Sequence, residues 1–225
     1  YGGGLTVSQN STTNLERVTI SGNSASEGAG IYANENSTTN LTNVTVTGNT
    51  ASNRGGGMLI YGAANLNNVT VAGNSAVISA GGVTTVGFAT VNIKNSIIAD
   101  NTAPFFVDCS GNLNSQGYNL IENVDVLNCI ITGNTATNMI GVDPMLDSLL
   151  DNGGSTLTMS LLPGSPAIDS ADNTTCANED QRSYPRPQDG DGNSSVICDI
   201  GAVEVTGAVS VFSIIRAGTS PPSAS

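Results

Sequence analysis

Histidine and tryptophan are absent from this sequence, and its six lysines and arginines stand against 18 aspartates and glutamates. Without histidine, the usual general base at neutral pH and a common zinc ligand are both missing. The net charge of -12 argues against nucleic acid and anionic membranes as partners, since both are bound by clustered lysine and arginine. The sequence also lacks an apolar run of about 18 residues, and it therefore predicts no transmembrane helix.

Polar uncharged residues and glycine dominate instead. There are 27 glycines, and charged residues make up only 11% of the 225 positions, unlike a solvating acidic tail. The cysteines are Cys109, Cys129, Cys176 and Cys198. None lies in a CxxC pair, so two disulfides are favoured over a metal site, and they predict an oxidising, extracytoplasmic setting. A start at Tyr1, inside a glycine phrase and without a signal peptide, predicts a processed or truncated chain.

One phrase of eleven residues recurs along the chain, as in LTNVTVTGNTA. Its copies begin at Leu15, Leu41, Leu66, Ile93 and Val126. A glycine phrase repeats in step with the first four copies, as GGGLTV, GAGIYA, GGGMLI and AGGVTT. The segments are short, β-branched and alternating, without a helical period. A period of about 25 residues predicts one coil of a parallel β-solenoid, each coil stacking about 4.8 Å from the last.

The alternation within the phrase separates core positions from surface positions. The predicted inward residues are Val18, Val44, Val69, Ile20, Val46, Val71 and Ile98. The residues predicted to point outward form a threonine ladder that isoleucines continue: Thr19, Thr45, Thr70, Ile97 and Ile130. Stacked Val, Ile and Leu layers are therefore expected to fill the core.

Asparagine follows the strand in every copy of the phrase, at Asn23, Asn49, Asn74, Asn101 and Asn134. Stacked at one position, each side-chain amide can bond the next while also satisfying backbone groups of the turn, which predicts an asparagine ladder. The residue before it supplies a positive φ where the turn needs one. That residue is Gly22, Gly48, Gly73 or Gly133, and Asp100 is the exception.

The segment NVTVTGNTASNRGGGM resembles secreted bacterial right-handed parallel β-helix proteins, a group that includes polymorphic outer-membrane proteins and cell-surface adhesins. Residues 105–204, with DPMLDSLLDNGGSTLTMSLLPGSPAIDSAD and DQRSYPRPQDGDGNSSVICDIGAVE, resemble the choice-of-anchor (type Q) module of large bacterial surface proteins. The resemblance implies a surface location and a β-helix, and it fixes neither a ligand nor an activity.

Three parts are expected along the chain. Residues 1–140 form the coils, with a loop insertion at about 103–125; residues 141–206 form terminal coils or an anchor-like module; and residues 207–225 form an apolar strand and a Ser/Pro tail. A bridge from Cys109 to Cys129 would clip the insertion and one from Cys176 to Cys198 the next loop, at about 3 kcal/mol each. The other two connectivities stay open.

The two ends of the chain suggest assembly, because a solenoid needs capped ends. The apolar strand after residue 206 either packs back on its own sheet or joins another subunit by strand addition. For the open glycine-rich start, either a cap was lost with upstream sequence or a neighbouring molecule supplies it, and the second case would build a head-to-tail fibre. The residues assigned to assembly are Tyr1, Gly2, Gly3, Leu5, Val209, Val211, Phe212, Ile214 and Ile215.

One stretch has calcium-loop spacing: QDGDGNSS places Asp189, Asp191 and Asn193 at alternate positions. The glycine and glutamate that complete such a loop are missing. An aspartate from elsewhere could complete the site in three dimensions, the candidates being Asp180, Asp169 and Asp172. The alternative is an acidic turn without metal. Any calcium here is expected to be structural, and no other cofactor is predicted.

Enzymes must also be considered, since pectate lyases and polygalacturonases share the β-helix scaffold. A lyase needs a placed base and a glycosidase two carboxylates, whereas the acids and bases of these coils are scattered. Asp100 could act as an acid, but its place in the glycine slot explains it without catalysis. The sequence therefore predicts an all-β, right-handed parallel β-helix with a disulfide-clipped carboxy-terminal module. The predicted function is non-catalytic.

The predicted protein is a secreted or cell-surface stalk, adhesin or fibre subunit of a bacterium. Its expected partners are copies of itself, glycans, or the surface of a host or neighbouring cell. The alternative is a polysaccharide-active lyase or hydrolase, or a carbohydrate-binding module, on the same scaffold.

Overall fold

The computed structural model describes residues 2–207. All regular elements in this range are β-strands, so it holds no helix that could cross a membrane. The strands wind into a parallel β-solenoid of about four turns, which confirms the predicted fold. The first ten strands are β1 (Leu5–Val7), β2 (Thr12–Ser21), β3 (Ser24–Glu27), β4 (Ile31–Ala33), β5 (Thr38–Thr47), β6 (Thr50–Arg54), β7 (Met58–Ile60), β8 (Ala63–Ala72), β9 (Ser75–Ala76) and β10 (Val83–Thr85).

The later strands are shorter and end in a hairpin. They are β11 (Thr90–Lys94), β12 (Ile97–Ala99), β13 (Cys109–Ser115), β14 (Leu120–Ile121), β15 (Cys129–Gly133), β16 (Met139–Ile140), β17 (Leu146–Leu150) and β18 (Thr158–Leu161). The solenoid strands pair in parallel, coil upon coil, whereas β17 and β18 pair antiparallel. One ladder runs β1-β4-β7-β10-β13, a second begins β2-β5-β8, and a third is β3-β6-β9.

Equivalent residues of the repeated phrase stack directly on each other. Leu15 pairs with Leu41 and Leu41 with Leu66. The predicted inward residues of the middle coils are fully buried: Val44, Val46, Val69, Val71 and Ile98. The same residues therefore recur because each coil must present the same apolar layer to the next.

Each long strand bends at a residue with positive φ. The bend of β5 lies at Asn43 (φ 53°) and that of β8 at Asn68 (φ 52°), a conformation that asparagine tolerates better than most residues. The turn after each phrase uses glycine, as at Gly48 (φ 63°), and Asp100 adopts the same conformation with φ 55°. The position before each ladder asparagine therefore requires a residue that can adopt a positive φ.

Residues 103–125 do not form the loop insertion expected from the sequence. β13 pairs with both β10 and β11, and β14 pairs with β12, so these residues make another coil. This coil is shorter because the single strand β13 pairs along both β10 and β11, without the turn that separates those two strands in the preceding coil. The next copy of the phrase is consequently shifted, since β15 stacks on β13 and Ile130 pairs with Asn112. The column of Ile97 continues instead to Leu120 and Met139, so the predicted place of Ile130 in the threonine ladder is wrong.

The part after β16 lies against the side of the solenoid. Its apolar residues form a second cluster on the outward face of β12 and β14, comprising Ile97, Ala99, Leu120, Leu161, Ala167, Ala171, Cys198 and Ile200. The outward threonines are consequently covered, with Thr45 0% and Thr70 1% exposed. Disulfides join Cys109 to Cys129 and Cys176 to Cys198, the pairing that clips each part separately.

Candidate functional site

A buried asparagine ladder runs along the solenoid axis. Asn23, Asn49, Asn74 and Asn101 each donate from Nδ2 to the next member, at 2.9 Å for the first three steps. Backbone N–H groups of the same residues bond the same oxygens, for example Asn49 N to Asn74 Oδ1 at 3.1 Å. Each inner amide also reaches back to the previous coil, as from Asn74 Nδ2 to the Val46 carbonyl at 2.9 Å.

The ladder ends on an aspartate that the sequence analysis did not identify. Asn101 Nδ2 donates to Asp108 Oδ1 at 2.8 Å, while Asp108 Oδ2 accepts from the N–H of Asn123 at 2.8 Å. Burial raises the pKa of Asp108, and the bonds from Asn101 and Asn123 act in the opposite direction. A carboxylate suits this position because the last member only accepts. Asn134, the predicted last member, is exposed and lies outside the ladder.

A second asparagine ladder, which the sequence analysis did not predict, lies on the surface. Its members are Asn14, Asn40, Asn65, Asn92 and Asn114, joined by Nδ2-to-Oδ1 bonds of 2.7–2.8 Å. The first four stand immediately before the leucine or isoleucine that opens each phrase. An asparagine at the same position before each phrase was the sequence pattern from which this ladder could have been predicted. The direction is reversed, because each later residue donates to the earlier one.

The outward threonine ladder is the platform for the carboxy-terminal module. Gln181, fully buried, accepts from Thr45 Oγ1 at 2.6 Å and donates from Nε2 to Thr19 Oγ1 at 2.8 Å. Thr70 Oγ1 accepts from the N–H of Ala202 at 3.1 Å. These hydroxyls are therefore occupied within the protein, and the flat threonine face is closed to an external ligand.

A buried network of charges holds the module together. Arg186 Nη1 contacts Glu204 Oε2 at 3.0 Å, with both side chains fully buried. Arg182 Nη2 contacts Asp180 Oδ2 at 2.7 Å. The pKa of Asp199 is raised to about 7, chiefly by burial and then by the carboxylate of Glu204. A shifted carboxylate often marks an active site, but both oxygens of Asp199 accept backbone N–H bonds inside the fold.

Three carboxylates come together at the predicted calcium loop. Oxygen atoms of Asp169, Asp189 and Asp191 lie within 4.8 Å of one another. Burial raises the pKa of Asp169, and the charges of Asp191 and Asp189 also raise it, against N–H bonds from Gly190 and Asp191. A group of hard oxygen donors carrying like charges fits calcium. Asn193 stands outside this trio, and its Nδ2 donates to Asp191 Oδ2 at 2.9 Å.

The other aspartates considered for this loop have different partners. Asp180 is paired with Arg182. Asp172 accepts from the N–H and hydroxyl of Thr174 at 2.9 and 2.8 Å. Of the three candidates for completing the site, the fold brings Asp169 to it.

A groove of about 750 Å³ crosses three coils on one side of the solenoid. Phe88, fully exposed, lines it together with Tyr61, Glu35 and Ser37. The Tyr61 ring lies 5.7 Å from that of Tyr32, centroid to centroid. An exposed ring beside hydroxyl and carboxylate groups is a surface on which a sugar can stack.

A smaller groove of about 400 Å³ contains two carboxylates, Glu122 and Asp125. Glu122 Oε2 accepts from the N–H of Asp100 at 2.9 Å. Burial raises the pKa of Asp100, and the carboxylates of Glu122 and Asp143 raise it further. Asp125 Oδ1 accepts from the N–H of Leu127 at 3.0 Å. A glycosidase needs two carboxylates at a defined separation, and these two acids line the same groove.

The residues assigned to assembly are partly visible. Gly3 donates from its N–H to the Ala29 carbonyl at 3.1 Å, and Leu5 pairs with Ile31, so Gly2, Gly3 and Leu5 belong to the first coil. The other assigned residues lie outside the described range, namely Tyr1, Val209, Val211, Phe212, Ile214 and Ile215.

Comparisons with known proteins return nothing for this chain: no family model, no curated protein and no solved structure matches it. The β-solenoid and the disulfides therefore rest on the structure, and the resemblance to the type Q module and to adhesins stays a prediction.

Proposed function

We propose that this chain is a non-catalytic structural module of a secreted or cell-surface bacterial protein, serving as a stalk, adhesin or fibre subunit. The observation that carries the proposal is the use of its polar side chains. The asparagines, the outward threonines and the buried ion pairs bond to each other or to the backbone. Such bonding stabilises a rigid rod and uses these groups to hold the fold together.

The proposal includes an extracellular location and a structural calcium site. Two disulfides favour an oxidising, extracellular environment. Calcium would be held by Asp169, Asp189 and Asp191, where it would neutralise like charges and tie two segments of the module together. Its role would be to stabilise the module.

Electron microscopy of the purified chain tests the fibre form of the proposal. Head-to-tail assembly predicts filaments whose number grows with protein concentration. Dispersed single particles at high concentration would contradict the fibre form and leave the stalk and adhesin forms.

Carbohydrate binding is a second candidate, favoured by the groove around Phe88. A glycan array should then show binding that Phe88→Ala weakens at least about tenfold, the usual scale for loss of an aromatic contact. Phe105→Ala is the matched control, because Phe105 is also an exposed phenylalanine, 63% exposed, outside that groove. Equal binding by both variants would exclude the groove as the site.

Polysaccharide hydrolysis is the rival from the enzyme class, favoured by Glu122 and Asp125 in one groove. Both carboxylates accept bonds from backbone N–H groups: Asp125 from Leu127 within its own turn, and Glu122 from Asp100 in the preceding coil. Hydrolysis that depends on Glu122 would support the rival and overturn the structural proposal.

A further inference from the structure

Two cavities adjoin each other on one side of the solenoid. The groove of about 750 Å³ that contains Phe88 is one of them, and the other is a cavity of about 160 Å³ lined in part by Gln9 and Tyr32. Glu35 and Tyr61 line both cavities. The two cavities together therefore form one surface centred on this acid and this ring, which is called the Glu35 surface below.

The Glu35 surface extends along the solenoid axis across four coils. Its residues lie in the turns that follow four strands of one ladder: Gln9 follows β1, Glu35 follows β4, Tyr61 follows β7 and Phe88 follows β10. Neighbouring strands of a ladder are about 4.8 Å apart, so three steps cover about 14 Å. A surface of this length suits several units of a sugar chain better than a single sugar.

Two aromatic rings of the surface are held in place by the fold, and a third is open to a ligand. Arg54 Nη2 donates to Tyr61 Oη at 2.9 Å, and the Tyr32 ring is tilted by 49° against the Tyr61 ring. Phe88 is fully exposed. Rings that are fixed before binding lose little conformational freedom when a ligand packs on them. Their apolar faces can pack on the C–H face of a sugar ring.

The surface carries one negative charge that the protein does not neutralise. Within residues 2–207, Glu35 is the one charged residue that lines either cavity, and its side chain has no hydrogen bond or ion pair. Arg54 lines neither cavity, and its Nε contacts Glu27 Oε1 at 3.0 Å. The whole chain has a net charge of -12. The surface therefore attracts a cationic ligand and repels an anionic one such as a uronate.

We propose that the Glu35 surface binds a glycan chain built of amino sugars, with a protonated amine of the glycan at the Glu35 carboxylate. The rings pack on the sugar faces, and the exposed side chains of Gln9, Asn36 and Thr90 bond the sugar hydroxyls. This inference rests on the carbohydrate-binding candidate proposed above and adds to it the charge of the ligand. A neutral glycan would leave Glu35 without a partner, and a uronate would bring like charges together.

Isothermal titration calorimetry with soluble oligomers of glucosamine, N-acetylglucosamine and galacturonate tests the charge of the ligand, at a mildly acidic pH where the amines are protonated. Acetylation removes the positive charge and keeps the sugar ring. The glucosamine oligomer is expected to bind about fivefold more tightly than the N-acetylglucosamine oligomer, the upper range for an exposed ion pair. Added salt should reduce this difference, and the galacturonate oligomer should bind most weakly.

Three variants of the whole chain assign the effect to residues. Glu35→Gln removes the charge and keeps the shape, so it should weaken glucosamine binding about fivefold and leave N-acetylglucosamine binding unchanged. Glu16→Gln is the matched control, because it changes the net charge equally at an exposed glutamate outside both cavities. Phe88→Ala should weaken the binding of both oligomers at least about tenfold.

Equal affinity for the two hexosamine oligomers, or equal effects of Glu35→Gln and Glu16→Gln, would overturn the proposal and leave carbohydrate binding by the groove intact. Oligolysine that binds as tightly as the glucosamine oligomer, with no effect of Phe88→Ala, would also overturn it, because the attraction would then extend to any cation. Absence of binding by every oligomer would overturn both this proposal and the carbohydrate-binding candidate, and it would leave the structural function in place.

Discussion

Replacement of Asn74 by alanine removes the middle member of the buried ladder. Asn74 is 0% exposed. Its Oδ1 accepts from the N–H of Asn49 at 3.1 Å and from Asn49 Nδ2 at 2.9 Å. Its Nδ2 donates to Val46 O at 2.9 Å, Ala72 O at 3.2 Å and Asn101 Oδ1 at 2.9 Å. The substitution therefore breaks contacts with the coils on both sides.

The expected loss of unfolding free energy is about 5 kcal/mol. Each of these bonds contributes about 1 kcal/mol net, and a buried group left unpaired costs about 1–3 kcal/mol. Asn49 N–H and the Val46 carbonyl lose partners in a region that water does not reach. A protein of ordinary stability has about 5–15 kcal/mol in total, so the variant is expected to be close to unfolding.

Asn65→Ala is the matched control, since Asn65 lies in β8, the strand that precedes Asn74 in the same coil, and also stands in an asparagine ladder. It donates to Asn40 Oδ1 and accepts from Asn92 Nδ2, both at 2.8 Å, but these bonds are exposed. Water replaces them, so the loss should stay below about 1 kcal/mol. Urea denaturation followed by circular dichroism measures both variants. Equal losses for Asn74 and Asn65 would refute the assignment of stability to the buried ladder.

Three further predictions concern the carboxy-terminal half. Folding raises the pKa of Asp199 from 3.8 to about 7, so between these pH values the folded state holds a proton that the unfolded chain releases. The free energy of unfolding should therefore fall by up to about 4 kcal/mol between pH 4 and 7. Urea titrations across this range should show that the free energy of unfolding depends less on pH in Asp199→Asn than in the wild type. Removal of the Cys109–Cys129 bridge by alanine substitution should cost about 3 kcal/mol in the same assay, and an unchanged midpoint would contradict this. Millimolar calcium should raise the melting temperature by roughly 2–4 °C for each kcal/mol of stabilisation by binding in differential scanning calorimetry, and Asp189→Asn with Asp191→Asn should abolish the shift.

The repeating part of the fold could be predicted because its physics is local and periodic. Val44 and Val69 recur at one spacing, so their stacking in one core column follows from alternation alone. The members of the buried ladder as far as Asn101 could be predicted in the same way, from their fixed position in the repeated phrase. Its end at Asp108 did not, because the coil that holds Asp108 lacks both repeated phrases and looks like an insertion.

The rest depends on contacts between residues far apart in the chain. Thr45 was expected to face water, yet it is covered because Gln181 packs on it across a separation of 136 residues. No sequence pattern near Thr45 or Gln181 predicts that contact. Asp189 and Asp191 could be named from their spacing, whereas Asp169 joins them through the fold of the module.

The most direct test of the central claim, that this solenoid is structural and not catalytic, is an activity assay on a panel of neutral and uronate polysaccharides. New reducing ends and unsaturated products would be measured for the wild-type chain and for Glu122→Gln. The structural account predicts that both proteins match the buffer control. Product formed by the wild type, and reduced at least about 100-fold in Glu122→Gln as for loss of a general acid, would contradict it.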